Sequence, residues 1–332
     1  MSTSSDVLDL GSRGIDESTS RELAGQRVVV TGAAGQLGRL LVPAARRSGA
    51  TVIAFGSRPE PEIDVAVDLA EREAAIHALR AVEPDIVIHA AACTDVDGIE
   101  REPRRGERSN AQATRNVADA AKDTGAYVIA VSTDMVFPGD GGAPYAETAP
   151  TAPISAYGRS KLMAEHAVLD ASSRFAVART AWLYGGAGKH FPRTVLTVLR
   201  DRGGIEVVDD EFGSPTYAGD LAEALVQLAI RRGEGTFHLV NQGRASRFGL
   251  ARETARLAGF DPEQVRPVST DAFLARFPLP ARRPADSTLR NLRAAALGIT
   301  LRDWREAISK YVPVLAAELL TESEQASVGG GL

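Results

Sequence analysis

The sequence predicts an α/β protein: a doubly wound parallel sheet with a smaller C-terminal lobe. Three observations carry that prediction. From residue 26 to about residue 180, short apolar runs of strand length alternate with longer segments of helical period. The runs are rich in β-branched residues and nearly continuous in apolar character, as strands buried on both faces are. The first run passes straight into a glycine-rich turn and then a helical segment, which is the order of a strand–turn–helix unit.

The elements follow in order. Arg27–Thr31 (RVVVT) reads as the first strand and Leu37–Ser48 as the helix that returns over the sheet. Thr51–Phe55 is the second strand, Glu71–Val82 a helix, and Asp85–His89 the next strand. Ser109–Thr124 and Tyr157–Leu169 read as helices flanking the strand Tyr127–Ser132, and Phe175–Thr180 is the last clear strand. Residues 26–180 thereby form a Rossmann-type domain with helices on both faces. After Thr180 the alternation weakens, and helices near Asp220–Arg231 and Leu250–Ala258 stand between irregular, Pro-containing stretches, so residues 181–316 read mainly as a lobe. Residues 1–25 and 317–332, rich in Ser, Gly and acidic residues without sustained periodicity, read as a flexible extension and a flexible tail.

Bulk properties narrow the function. With 332 residues, 44% hydrophobic and 24% charged, the chain can bury a large core. A net charge of -5 argues against a nucleic-acid partner, which calls for a dominant basic face. One cysteine, Cys93, excludes an intrachain disulfide and a thiolate metal cluster, and no metal site is expected. No apolar run approaches the roughly 18 residues of a membrane span, and the start of the chain lacks a secretory pattern. No membrane partner is expected, and a cytoplasmic location follows. Assembly is left open, a homodimer included.

The turn after the first strand is Gly32-Ala33-Ala34-Gly35-Gln36-Leu37-Gly38. Glycines here let the backbone turn tightly and approach a pyrophosphate, while the following helix offers free N–H groups and a partial positive charge. A dinucleotide is the expected ligand. Its nicotinamide type is read at the end of the second strand. There an Asp or Glu would accept from ribose hydroxyls; this chain instead carries Ser57 and Arg58, suited to a 2′-phosphate. NADPH is the expected cofactor, with NADH the alternative. Asp68 and Leu69 are expected beside the adenine.

Tyr157 and Lys161 stand four apart on a predicted helix and so share one face. A phenol with an ordinary pKa near 10 is a poor acid at neutral pH. A cation about 4 Å away contributes on the order of 4 kcal/mol at an effective dielectric near 20, which brings the phenol toward general-acid work. With six tyrosines and 332 residues, and lysines only at 122, 161, 189 and 310, chance yields about 0.07 such pairs. Position adds weight: the glycine turn, Ser57-Arg58, Ala90-Ala91-Ala92, Thr133 and Trp182 all follow predicted strands, on the carboxyl rim where open α/β sheets bind ligands. Small side chains at Ala90, Ala91 and Ala92 suit close approach of the cofactor, and Thr133 suits a hydrogen bond to a substrate oxygen.

On these residues the chain resembles the extended short-chain dehydrogenases and, more narrowly, the dTDP-4-dehydrorhamnose reductases. The matching stretches are VVVTGAAGQLGRLL, PDIVIHAAACTDVDGIE, VSTDMVFPGDGGAPYAE, PISAYGRSKLMAEHAV, ARTAWLYG and VVDDEFGSPTYAGDLA, spread over roughly Gln26 to Val314. The resemblance implies that the lobe interleaves with the sheet domain. It implies Tyr157 as general acid, Lys161 as its partner and ribose ligand, Thr133 on the keto oxygen, and Asn110 behind a proton-relay water. Thr94 and Trp182 resemble positions near the sugar, and Arg283-Pro284 with Ser287 a motif that closes the substrate lobe. The implied reaction is reduction by NADPH of the C4 ketone of a dTDP-4-keto-6-deoxy-L-hexose. A non-catalytic regulatory subunit, or an epimerase or dehydratase, are the alternatives on this scaffold. Two positions depart from the pattern: Met135 stands where a tyrosine is usual, and Lys189-His190 where an asparagine pair is common.

Overall fold

Side-chain alternation along each strand sets the layers in the computed structural model, which describes residues 22–329. Seven strands form one sheet: β1 (Arg27–Thr31), β2 (Thr51–Gly56), β3 (Val65–Ala66), β4 (Ile86–His89), β5 (Tyr127–Thr133), β6 (Ala176–Thr180) and β7 (Gly235–His238). Every pairing is parallel, in the order β3-β2-β1-β4-β5-β6-β7. Chain direction across the sheet reverses between β1 and β4, which opens a crevice at their carboxyl ends.

Val28 and Val30 face one side of β1, and Val29 faces the other. The first side is covered by α1 (Gly38–Arg47) and α6 (Ala218–Ile230), through Leu41, Ala45, Leu221 and Leu225. The second is covered by α2 (Arg72–Val82), α3 (Ala113–Thr124) and α4 (Ala156–Ala171), through Leu79, Val117 and Val168. All five strands expected from the sequence form, within a residue of their expected bounds. The helix expected from Ser109 differs in kind. It opens with a π-helical turn over Glu107–Gln112 before α3, which swings Asn110 inward to full burial.

Beyond β6 three short pairings build the lobe: Leu183–Tyr184 with Thr216–Tyr217, Phe212–Gly213 with Ala245–Ser246, and Ile205–Val208 with Val265–Val268. Helices α5 (Phe191–Arg202), α7 (Arg247–Leu257) and α8 (Trp304–Gly329) pack around them. The chain returns to the sheet between these pieces, since β7 pairs with β6. At the C-terminus, α8 runs well past residue 317, where a flexible tail was expected. Leu315 and Leu319 explain the difference, because they bury an apolar stripe against the lobe. At the other end Leu23 is buried and its N–H bonds to the Ser48 carbonyl, so the ordered chain starts before residue 26. The rest of the expected N-terminal extension, residues 1–21, and residues 330–332 of the tail lie outside the described residues. No described helix is long and apolar enough to cross a membrane.

Candidate active site

The glycine turn is dictated by space. Gly32 has φ +66°, and a Cβ there would lie 2.8 Å from the Ala91 Cα. A Cβ on Gly38 would lie 2.2 Å from the Gly32 carbonyl oxygen, so neither position admits another residue without a shift. Helix α1 then begins at Leu37 with no side chain capping its first turn. Its N–H groups and dipole therefore face the crevice free of any protein anion, which fits a pyrophosphate. Gln36 is engaged in holding this turn, donating from Nε2 to the Gly185 carbonyl at 2.9 Å. Beneath the turn, Thr31 Oγ1 meets His89 Nδ1 at 2.8 Å and accepts from the Ala91 N–H at 3.2 Å. His89 Nε2 meets Thr114 Oγ1 at 3.0 Å, and burial drives the ring's pKa down to about 3. This neutral chain of bonds fixes the path of Ala90-Ala91-Ala92 beside Gly32.

Ser57 and Arg58 are exposed at the end of β2. Asp68 is paired with Arg108 at 2.7 Å, and the Leu69 carbonyl accepts from Asn116 at 2.9 Å. Ser57 and Arg58 thus stand free at a strand end on the rim beside the β1–β4 crevice, a position whose chemistry fits a phosphate.

Tyr157 enters from the first turn of α4, which Ser155 caps by accepting from the Gly158 N–H at 3.1 Å. The phenol lines the same cavity as Thr133, the last residue of β5. Burial raises its pKa, the nearby Asp134 carboxyl adds to the rise, and Thr133 opposes it. That reverses the expectation that Lys161 brings the phenol down. The reason is geometric: Lys161 Nζ donates to the Val131 carbonyl at 2.7 Å, and burial of the phenol, not the cation, sets the direction. A raised pKa keeps the phenol protonated at neutral pH, the form that donates. Lys161 is itself pulled down to about 8 by burial, partly countered by Glu165 one turn along. Glu165 accepts from Ser132 at 2.5 Å and from Arg179 at 2.9 and 2.7 Å, pinning α4 to β5 and β6 just behind the lysine.

Asn110 is fully occupied. Its Nδ2 donates to the Cys93 carbonyl and to Ser160 Oγ at 3.2 and 3.0 Å, and its Oδ1 accepts from the Cys93 N–H at 2.8 Å. Its side chain therefore clamps the loop after β4 to α4.

A cavity of about 200 Å³ opens beside the phenol. Thr94, Thr133, Met135, Tyr157, Trp182 and Arg283, all expected near the substrate, line it together. Trp182 sits at φ 44° and packs so tightly on Gly213 that a Cβ there would come within 2.4 Å of the indole. Arg283 forms a two-pronged ion pair with Asp97 at 2.7 and 2.6 Å. His190, by contrast, stands away from the cavity. It caps α5 through Arg193 N–H and meets Tyr311 at 2.8 Å, with burial lowering its pKa to about 4.

Four cavity residues were missed from the sequence: Val96, which adds an apolar wall, and three charged ones. Asp134 follows Thr133 directly, is buried, has its carboxyl raised by burial, and accepts hydrogen bonds from Ser287 and Thr133; its place beside the strand end was a usable signal. Glu211 and Arg247 come from the lobe; Glu211 lies within the family-like stretch VVDDEFGSPTYAGDLA, whereas nothing in the local pattern marks Arg247. Among the described residues no cluster of His, Cys, Asp and Glu is arranged to hold a metal ion.

Comparison with known proteins agrees with this geometry. The family profile for the RmlD substrate binding domain matches residues 26–316. A dTDP-4-dehydrorhamnose reductase from Mycobacterium tuberculosis is 44% identical over 291 residues, covering 86% of this chain and 91% of that protein. A probable dTDP-4,6-dihydroxy-2-methyloxan-3-one 4-ketoreductase from Streptomyces antibioticus is 42% identical over 88% of this chain and 97% of its own length. Among solved structures, the Bacillus anthracis dTDP-4-dehydrorhamnose reductase in complex with NADP superimposes with a TM-score of 0.79. It is 32% identical over 86% of this chain and 98% of that one.

Proposed function

The chain belongs to the RmlD substrate binding domain family, and we propose that it is an NADPH-dependent reductase of the C4 ketone of a dTDP-4-keto-6-deoxyhexose. One observation supports this most directly: Tyr157 and Thr133 line the sugar-sized cavity while the glycine turn and Lys161 stand on the same sheet rim. Residues 26–180 act mainly as the cofactor domain and residues 181–316 mainly as the substrate lobe. Gly32, Gly35, Gln36, Leu37 and Gly38 would hold the pyrophosphate, Ser57 and Arg58 the 2′-phosphate, and Lys161 the nicotinamide ribose. When bound, NADPH supplies the hydride.

What the protein's own residues do follows from their geometry. Thr133 and Tyr157 both line the cavity, where a ketone oxygen would accept from the phenol of Tyr157, and from Thr133 once its hydroxyl turns from the Asp134 carboxyl. As the carbon–hydrogen bond forms, the carbonyl π pair moves onto that oxygen, and the phenol proton of Tyr157 quenches it. The products are the alcohol and NADP⁺. Lys161 keeps positive charge near the phenolate left behind, and Asn110 holds the loop that carries Thr94. Met135 lines the cavity with a thioether where related chains present a tyrosine hydroxyl. Similarity to both a dTDP-4-dehydrorhamnose reductase and a probable dTDP-4,6-dihydroxy-2-methyloxan-3-one 4-ketoreductase makes the hexose the variable. A cytoplasmic location goes with this reading.

A panel of dTDP-4-keto-6-deoxyhexoses with NADPH tests it, following loss of reduced-nicotinamide absorbance and product NMR. Stoichiometric NADPH consumption with a new C4 carbinol proton is expected. A protein that binds NADPH without consuming it on any member is a regulatory subunit. Conversion of the sugar without net NADPH consumption marks an epimerase or dehydratase.

A further inference from the structure

Two guanidinium groups line the cavity, and their surroundings differ sharply. Arg283 is committed: both its terminal nitrogens donate to Asp97, and one also reaches the Ala281 carbonyl. Arg247 is not. Among the described residues its one ion-pair partner is Glu211, 3.9 Å away and beyond hydrogen-bond reach. Its guanidinium sits 3.6 Å over the Trp182 ring, and its side chain is only 25% exposed. Burial lowers its pKa to about 10, which still leaves it charged at neutral pH. Burial raises the Glu211 carboxyl, and the buried Asp134 carboxyl also acts on Arg247 through space, but neither accepts a hydrogen bond from its guanidinium.

A charged guanidinium packed on an indole, with no carboxylate at hydrogen-bond distance from its N–H donors, offers a fork to an incoming anion. The anionic part of the substrate read above is its diphosphate, and a guanidinium fork matches phosphate oxygens two at a time. Placement agrees. Tyr157 and Thr133 stand on the sheet-domain wall of the cavity, whereas Arg247 opens α7 on the lobe wall. A pyranose with C4 against the first wall directs C1, across the ring, away from it.

We propose that Arg247 grips the diphosphate of the nucleotide sugar and thereby selects nucleotide-linked hexoses over free ones. This assignment rests on the reductase reading and deepens it.

The experiment is isothermal titration of dTDP and of thymidine into the full chain saturated with NADP⁺, for the natural protein, R247M and R247K. The expected result for R247M is a ten- to hundredfold weaker dTDP affinity with thymidine affinity changed less than twofold. R247K is expected between the two, since a lysine keeps charge without the fork. Retained NADP⁺ affinity in each variant reports an intact fold. R247M that binds dTDP within twofold of the natural protein overturns the assignment alone, as does equal loss of dTDP and thymidine. Natural protein that binds NADP⁺ but not dTDP removes the sugar-nucleotide reading, and this assignment with it.

Discussion

Lys161 Nζ donates to the Val131 carbonyl at 2.7 Å, tying the first turns of α4 to the end of β5 two residues before Thr133. The ammonium is thus held by a main-chain oxygen inside the protein, and burial sets its pKa at about 8. The charged form is the one that donates and that stabilises a phenolate. As pH rises through about 8 that proton is lost, so kcat/KM is expected to fall along an alkaline limb there. K161R moves the limb upward, because a guanidinium stays charged. A kcat/KM flat from pH 7 to 10 would contradict the role.

Tyr157 is buried with a raised pKa, so it is fully protonated at the pH of catalysis. Y157F keeps the ring and removes the proton. Turnover is expected to drop by about 10² or more, with NADPH affinity unchanged. Single-turnover NADPH oxidation is the measurement, and an unaltered rate removes the phenol from the reaction.

Gly213 supports Trp182 by having no side chain. G213A places a methyl within 2.4 Å of the indole, which must then move off its seat in the cavity. The expected outcome is a KM for the sugar nucleotide raised about tenfold, while the NADPH Kd stays put. Steady-state kinetics together with fluorescence titration separate the two sites.

Arg58 is exposed beside Ser57 at the end of β2. R58A is expected to weaken NADPH by about tenfold and NADH less than twofold, as loss of a phosphate contact requires. Equal effects on both cofactors would place the 2′-phosphate elsewhere.

His89, His190 and His238 are buried with pKa values near 3, 4 and 3. Unfolded, each titrates near 6.5. Between those values the unfolded chain binds more protons than the folded one, so stability falls as pH falls below about 6.5. At pH 5 each ring costs about 2 kcal/mol relative to pH 7. Calorimetry should show a Tm several degrees lower at pH 5, and an unchanged Tm would mean the rings are not held neutral.

Much of this molecule was legible in the order of its residues. Strand-length runs such as RVVVT and DIVIH report burial on both faces, because no polar residue interrupts them. Tyr157 and Lys161 were legible because helical period alone puts them on one face. The second lobe was harder. Its strands are two to four residues long, too short to show a period, and α8 ran on past residue 317 where composition suggested a tail. The π-helical turn at Glu107–Gln112 left no mark either, since its residues also suit an ordinary helix.

Local pattern along the chain settles the sheet, the glycine turn and the placing of Tyr157 and Lys161 on one helix face, since each depends on neighbours within a few residues. The charge states and the cavity do not. Whether Tyr157 is raised or lowered depends on how deeply Thr133, Asp134 and α4 enclose it, and Arg247 meets Trp182 only because Phe212–Gly213 pairs with Ala245–Ser246. Burial and long-range pairing are properties of the folded volume, and a linear pattern carries no record of them.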